Sequence, residues 1–188
     1  VLSVGRIEPL KGLDLLLRAM AGFLDSTDAR LVVVGGNLED DREMEILRLL
    51  AEDLCITDKI FFTGAVKQSE IPFYLNAADV FVMPSYHESF GLAALEAMAC
   101  GVPVVASRVG GLKTFIKNGE TGYLIPWHCP EPFTQSIEIL LANSSLLRSM
   151  GLAAREKAQT MGWRKVAEDM IRTYRGLIEE PFARVAGV

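Results

Sequence analysis

Short, almost continuously apolar runs recur along this chain, each followed by a stretch with helical periodicity, and that alternation leaves few folds open. The runs fall at residues 1–4, 30–34, 59–62, 80–83, 102–106 and 123–125. Successive side chains of a strand point to opposite faces, so a run that is apolar throughout is a strand covered on both sides. Helices are predicted between the strands at residues 12–24, 41–54, 69–77, 92–100 and 111–117. In the first of these, Leu13, Leu16, Leu17 and Met20 repeat at the i, i+3, i+4, i+7 spacing of one helical face. The alternation predicts an α/β fold, a Rossmann-like doubly wound parallel sheet with further helices at its C-terminal end. Right-handed crossovers then bring the C-terminal ends of the strands to one edge, where such folds bind ligands.

The pattern changes after residue 125. Pro126, Pro130 and Pro132 read as a loop, and helices are predicted at 133–142, 146–160 and 164–178. The last begins after Gly162-Trp163 and stops before Pro181, and its strip of Val166, Met170, Ile171 and Tyr174 needs a surface to pack on. Two units are therefore expected: residues 1–162 as a ligand-binding domain and residues 163–188 as a helix turned toward another domain. The chain opens directly on an apolar strand with neither a methionine nor a lead-in, which reads as part of a longer protein.

Composition narrows the function. Half of the 188 residues are hydrophobic, enough for a sizeable core, and the net charge of -5 argues against a nucleic-acid partner. The three cysteines, Cys55, Cys100 and Cys129, are widely spaced and read as reduced thiols of a cytoplasmic protein. With two histidines, His87 and His128, no metal site is expected. No apolar run approaches the roughly 18 residues of a membrane span, and no signal peptide is visible.

Two loops carry candidate chemistry. In Gly5-Arg6-Ile7-Glu8-Pro9-Leu10-Lys11-Gly12, after the first strand, two cations flank a bend set by Pro9. Arg6 offers a fork for two phosphate oxygens and Lys11 a mobile point charge. Such cations neutralise the charge that builds on a departing nucleoside diphosphate. The second loop, Pro84-Ser85-Tyr86-His87-Glu88-Ser89-Phe90-Gly91, runs into a helix that carries Glu96, eight positions beyond Glu88. Between the two carboxylates lies a helix N-terminus, whose free N–H groups favour an anion. A ligand with phosphate at its middle and hydroxyl-rich rings at both ends, such as a nucleotide sugar, suits that layout. His87 is read as shaping the loop rather than as an acid or base. Trp127 and His128 are read as loop packing, and Gly35-Gly36-Asn37 as a turn after the second strand.

Several stretches, in register from Val1 to about Tyr174, resemble the retaining family-4, or group 1, glycosyltransferases. They are Val4-Gly5-Arg6-Ile7 with Lys11-Gly12, the segment from Glu88 to Glu96, Gly101-Val102-Pro103-Val104-Val105-Ala106, Gly110-Gly111, and Asn118-Gly119-Glu120-Thr121-Gly122-Tyr123-Leu124-Ile125. The resemblance implies the C-terminal half of a GT-B enzyme, in which two Rossmann-like domains face each other across a cleft and this half holds the sugar donor. It implies that Arg6 and Lys11, with Gly5 beside them, grip the donor diphosphate and that Glu88 faces the sugar hydroxyls. These three side chains, Arg6, Lys11 and Glu88, are the ones it places at the reaction. It further implies that Glu96 bonds the ribose, that Ser89, Phe90, Gly91 and Leu92 meet the phosphate, and that Ala65 and Val66 lie near the base. A UDP-linked donor is expected ahead of a GDP-linked one, with no required metal or other cofactor. The implied partner is the N-terminal Rossmann-like domain of the same protein, through which the enzyme would touch the cytoplasmic face of a membrane. The sequence leaves two other functions open: a GT-B sugar-nucleotide epimerase or phosphorylase, and a non-catalytic nucleotide-sugar-binding module.

Overall fold

The computed structural model describes residues 1–37, 42–126 and 128–179. The start predicted for the second helix at Asp41, the packing of Trp127, and residues 180–188 lie outside that range. All six predicted strands form: β1 (Leu2–Val4), β2 (Leu31–Val34), β3 (Ile60–Gly64), β4 (Phe81–Met83), β5 (Val104–Ser107) and β6 (Gly122–Ile125). They build one parallel sheet in the order β3-β2-β1-β4-β5-β6. Helices cover both faces, as the apolar runs demanded. On one face α1 (Leu13–Ser26), α2 (Arg42–Asp53) and α6 (Pro130–Ala142) close over Leu31, Val33, Val82 and Val105. On the other, α3 (Ile71–Ala77), α4 (Leu92–Ala99), α5 (Leu112–Phe115) and α7 (Ser144–Gln159) close over Leu2, Val34, Phe81 and Val104. This is the Rossmann-like α/β architecture that the sequence predicted.

Some boundaries differ from expectation. Helix α5 stops at Phe115 rather than at 117, because Lys117 N donates to Thr121 Oγ1 and Thr121 N donates back to the Lys117 carbonyl. That local turn competes with the helix and leads the chain into β6. Helix α6 starts at Pro130, so two prolines expected in a loop open a helix instead. Proline lacks an N–H, but first-turn N–H groups have no partner within the helix, so little is lost. Strand β5 starts at Val104 because Val102 N still bonds the Ala97 carbonyl, closing α4 through a left-handed Gly101. The last helix, α8 (Trp163–Glu179), lies open: Trp163 is 82% exposed and Ile178 73%.

Strand order decides where a ligand can sit. The chain adds β2 and β3 on one side of β1, then returns to lay β4 on the other side. The loops that leave β1 and β4 therefore diverge from neighbouring strands at the point where the winding reverses, the crevice in which open α/β sheets bind ligands.

Candidate functional site

The loop after β1 is short and braced. A turn of 3-10 helix at Pro9–Lys11 ends on Gly12, whose φ of 66° is left-handed. A Cβ there would stand 2.3 Å from the Pro84 carbonyl oxygen, so only glycine lets the two loops approach so closely. Tyr86 N donates to the Leu10 carbonyl at 2.9 Å and joins them further. Gly35 and Gly36, in the predicted turn after β2, pack under Gly5 and Ile7.

This bracing brings two predicted residues together. Lys11 Nζ donates to Glu88 Oε2 at 2.7 Å, across the switch point, with both side chains largely shielded from solvent. Arg6 shares a cavity of about 20 Å³ with Lys11 and Ser85, but its exposed guanidinium pairs with Glu8 at 2.6 Å rather than with Glu88. The Ser85 hydroxyl is buried and has no hydrogen-bond partner.

Beyond Glu88, Ser89 and Phe90 are exposed, and Phe90 rests on Phe115 with ring centroids 5.4 Å apart. Gly91, at φ 94°, then starts α4. No side chain caps that helix and no acidic residue occupies its first turn. The N–H groups from Leu92 onward therefore present partial positive charge beside the Lys11–Glu88 pair.

Glu96, one turn into α4, is engaged elsewhere. Its Oε1 accepts from Gln68 Nε2 at 3.3 Å, which ties it to the loop between β3 and α3. Burial pushes its carboxyl above the ordinary range, and the Gln68 bond works against that rise. On the same loop Ala65 is exposed, whereas Val66 is half-buried against the core beside α4. Of the predicted residues the structure thus pairs Lys11 with Glu88 just before α4 and ties Glu96 of α4 to the loop that carries Ala65 and Val66, while Arg6 stands by Lys11 but turns to Glu8. Gln68 escapes a reading of the sequence because nothing in its neighbours marks a glutamine that reaches across 28 positions. Ser85 escapes it because an orphaned hydroxyl shows only once burial is known.

His87 is exposed, and His128 stacks on Tyr86 with centroids 4.9 Å apart, a packing contact. A larger cavity of about 810 Å³ lies at the opposite edge, around Val1, Arg30 and Asp79, where β1, β2 and β4 begin. Size alone does not make it the site, because it holds none of the converging residues and faces away from the crevice. Among the described residues no three His, Cys, Asp or Glu side chains cluster as they would around a metal, and no helix is long and apolar enough to cross a membrane.

Residues 1–157 match the family described as glycosyl transferases group 1. The D-inositol 3-phosphate glycosyltransferase of Streptomyces bingchenggensis is 42% identical over 173 residues, covering 88% of this chain and 38% of that protein. The chain thus spans well under half the length of the curated relatives it matches. A solved sucrose-phosphate synthase from Thermosynechococcus elongatus superposes with a TM-score of 0.83 at 34% identity, over 95% of this chain and 45% of that one. The Anabaena protein HepE, solved in complex with UDP, superposes with a TM-score of 0.85 at 23% identity, over 94% of this chain and 48% of its own, a likeness of fold.

Proposed function

The chain belongs to the group 1 glycosyl transferases, and we propose that it forms the half of such an enzyme that holds a nucleotide-sugar donor. One observation carries this reading: a cation and a carboxylate, Lys11 and Glu88, meet at 2.7 Å beside an uncapped helix N-terminus. In a sugar diphosphate the phosphate is bonded directly to the sugar. A group that neutralises phosphate must then stand beside one that accepts sugar hydroxyls, and Lys11 and Glu88 are such a pair.

In this proposal Arg6 and Lys11 neutralise the diphosphate, with Gly5 letting the backbone come close. The N–H groups of Phe90, Gly91 and Leu92 bind a phosphate oxygen, and Ser89 adds a hydroxyl. Glu96, held by Gln68, accepts the vicinal hydroxyls of the ribose, and Ala65 and Val66 border the base. The sugar leaves its diphosphate when the bond from the anomeric carbon breaks and the electron pair passes to the phosphate oxygen. The acceptor hydroxyl forms the new bond and passes its proton to the departing phosphate oxygen. Charge builds on the diphosphate as this happens, so Lys11 and Arg6 stabilise the transition state more than the bound donor.

That HepE was solved in complex with UDP supports UDP over GDP as the nucleotide. Retention of the anomeric configuration, a cytoplasmic location and peripheral membrane contact belong to the same reading. So does the division into residues 1–162 as the donor domain and 163–188 as a helix toward a companion domain. The acceptor would bind mainly to that companion.

Titration calorimetry of the 188-residue chain tests the proposal. UDP should bind more tightly than GDP, and sugar transfer to any hydroxyl acceptor should be negligible, since half the cleft that would exclude water is absent. Failure to bind any nucleoside diphosphate at millimolar concentration would overturn it.

A further inference from the structure

We propose that Gly110 and Gly111, on the loop after β5, are positioning residues that fix where Glu88 and the N-terminus of α4 stand. The inference rests on the donor-site reading above and assigns a task that none of the residues discussed there performs.

The segment from Pro84 to Gly91 is held from both sides. The loop after β1 grips one side through the Gly12–Pro84 approach and the Tyr86–Leu10 hydrogen bond. The loop after β5 grips the other. Gly111 N donates to the Ser89 carbonyl at 3.0 Å. A Cβ on Gly110 would stand 1.5 Å from the Glu88 carbonyl oxygen, and one on Gly111 2.7 Å from the Ser89 oxygen and 2.8 Å from Phe90 Cα. These neighbours are backbone atoms, so no rotamer change could relieve the overlap. Leu112 completes the contact, since a Cβ on Gly91 would fall 2.4 Å from its Cδ2.

Gly111 is the decisive position. Its φ of -71° suits any residue, so the backbone does not require glycine there. What requires glycine is the space that Ser89 and Phe90 occupy. A methyl group at 111 would push those residues away, together with the first N–H groups of α4. Glu96 stands a turn further along the helix with its own tie to Gln68, so the ribose end is braced separately. The displacement should therefore act on the phosphate end of a nucleotide, where one charge-assisted hydrogen bond lost is worth about tenfold or more in affinity.

The test compares Gly111→Ala with Gly119→Ala in the 188-residue chain. Gly119 has φ 78° and nothing within 4 Å of where a methyl group would stand, so its alanine variant carries backbone strain without a clash. Calorimetry with uridine and UDP, and with guanosine and GDP, reads the gain from the phosphates. In Gly111→Ala the diphosphate should bind at least about tenfold more weakly while the nucleoside stays within about twofold of the parent. In Gly119→Ala both should bind as in the parent. Unchanged diphosphate affinity in Gly111→Ala, or equal loss of nucleoside and diphosphate, would overturn the inference. Should Gly111→Ala not fold, Leu112→Val trims the contact over Gly91 without a clash. A severalfold loss confined to the diphosphate then supports the inference, and no loss overturns it. A parent chain that binds neither UDP nor GDP overturns the donor-site reading itself, an outcome visible before any variant is made.

Discussion

Lys11 Nζ lies 2.7 Å from Glu88 Oε2, and this ion pair joins two loops that lie 77 positions apart in sequence and leave adjacent strands β1 and β4. Both side chains are mostly shielded, so each would be costly to hold there without the other. Lys11→Met should destabilise the chain by about 1–3 kcal/mol, between the values for exposed and fully buried pairs. Glu88→Gln should cost less, because the Lys11 left behind is the more exposed partner and the amide oxygen can still accept its hydrogen bond. The double variant should be more stable than the two single losses summed would give. Urea denaturation of all four proteins measures the coupling. A coupling near zero would mean the two loops are not tied through this pair in solution.

Glu96 should show stability and binding in opposition. Its carboxyl is raised by burial, so the folded chain holds that proton more firmly than the unfolded chain does. The associated stability is complete below the ordinary glutamate pKa and is lost as pH climbs through the raised value. Glu96→Gln cannot ionise and should remove that loss, giving a higher Tm than the parent at pH 8 and a smaller difference at pH 4. The same change should weaken UDP binding by roughly 1.5–3 kcal/mol, the cost of a charge-assisted hydrogen bond to ribose. A variant with lower Tm at pH 8 and unchanged affinity would remove Glu96 from the ribose role.

The sheet, its two covered faces and its ligand edge are legible in the sequence because each rests on a local pattern. A continuously apolar run such as residues 80–83 is the pattern of a doubly covered strand, and the helix stripes follow from periodicity. The loop residues Lys11 and Glu88 are legible from charge and position at strand ends. What cannot be read is distance across the fold. Gln68 reaching Glu96, Arg6 turning to Glu8, and Gly111 leaving room for Phe90 all depend on how separate loops stack. Two of the displaced helix boundaries have local causes of another kind. Pro130 reads as a breaker although first-turn proline is tolerated, and the Lys117–Thr121 turn is a side-chain bond that periodicity does not register.

Cys55 follows α2 with φ 57°, left-handed for a residue that carries a Cβ. Its N–H bonds the Glu52 carbonyl, and Ile56 N bonds Ala51, so the turn needs that conformation. Left-handed geometry costs about 1–2 kcal/mol for such a residue, while glycine loses about 0.5–1 kcal/mol of chain entropy on folding. Cys55→Gly should therefore stabilise the chain by about 0.5–1 kcal/mol, visible as a rise in urea midpoint at constant slope. A lower midpoint would show that the exposed cysteine side chain contributes more than its strain costs.

Helix α8 offers the test of the division at residue 163. Val166, Met170, Ile171 and Tyr174 are all at least 40% exposed, an apolar strip on a helix whose other face carries the pairs Arg164–Glu168 and Lys165–Asp169. An apolar stripe on such a helix is built to be covered. If a companion domain covers it in the longer protein, Met170→Lys with Tyr174→Lys should leave the Tm of the 188-residue chain within about 2 °C, since these side chains bury little surface there. In the longer protein the same pair should lower Tm clearly, by several degrees, because two charges would then face an apolar surface. Calorimetric scans of both lengths decide the matter. A large fall in the 188-residue chain would place the strip against this domain's own body. No fall in either length would mean that the helix serves a surface outside the enzyme.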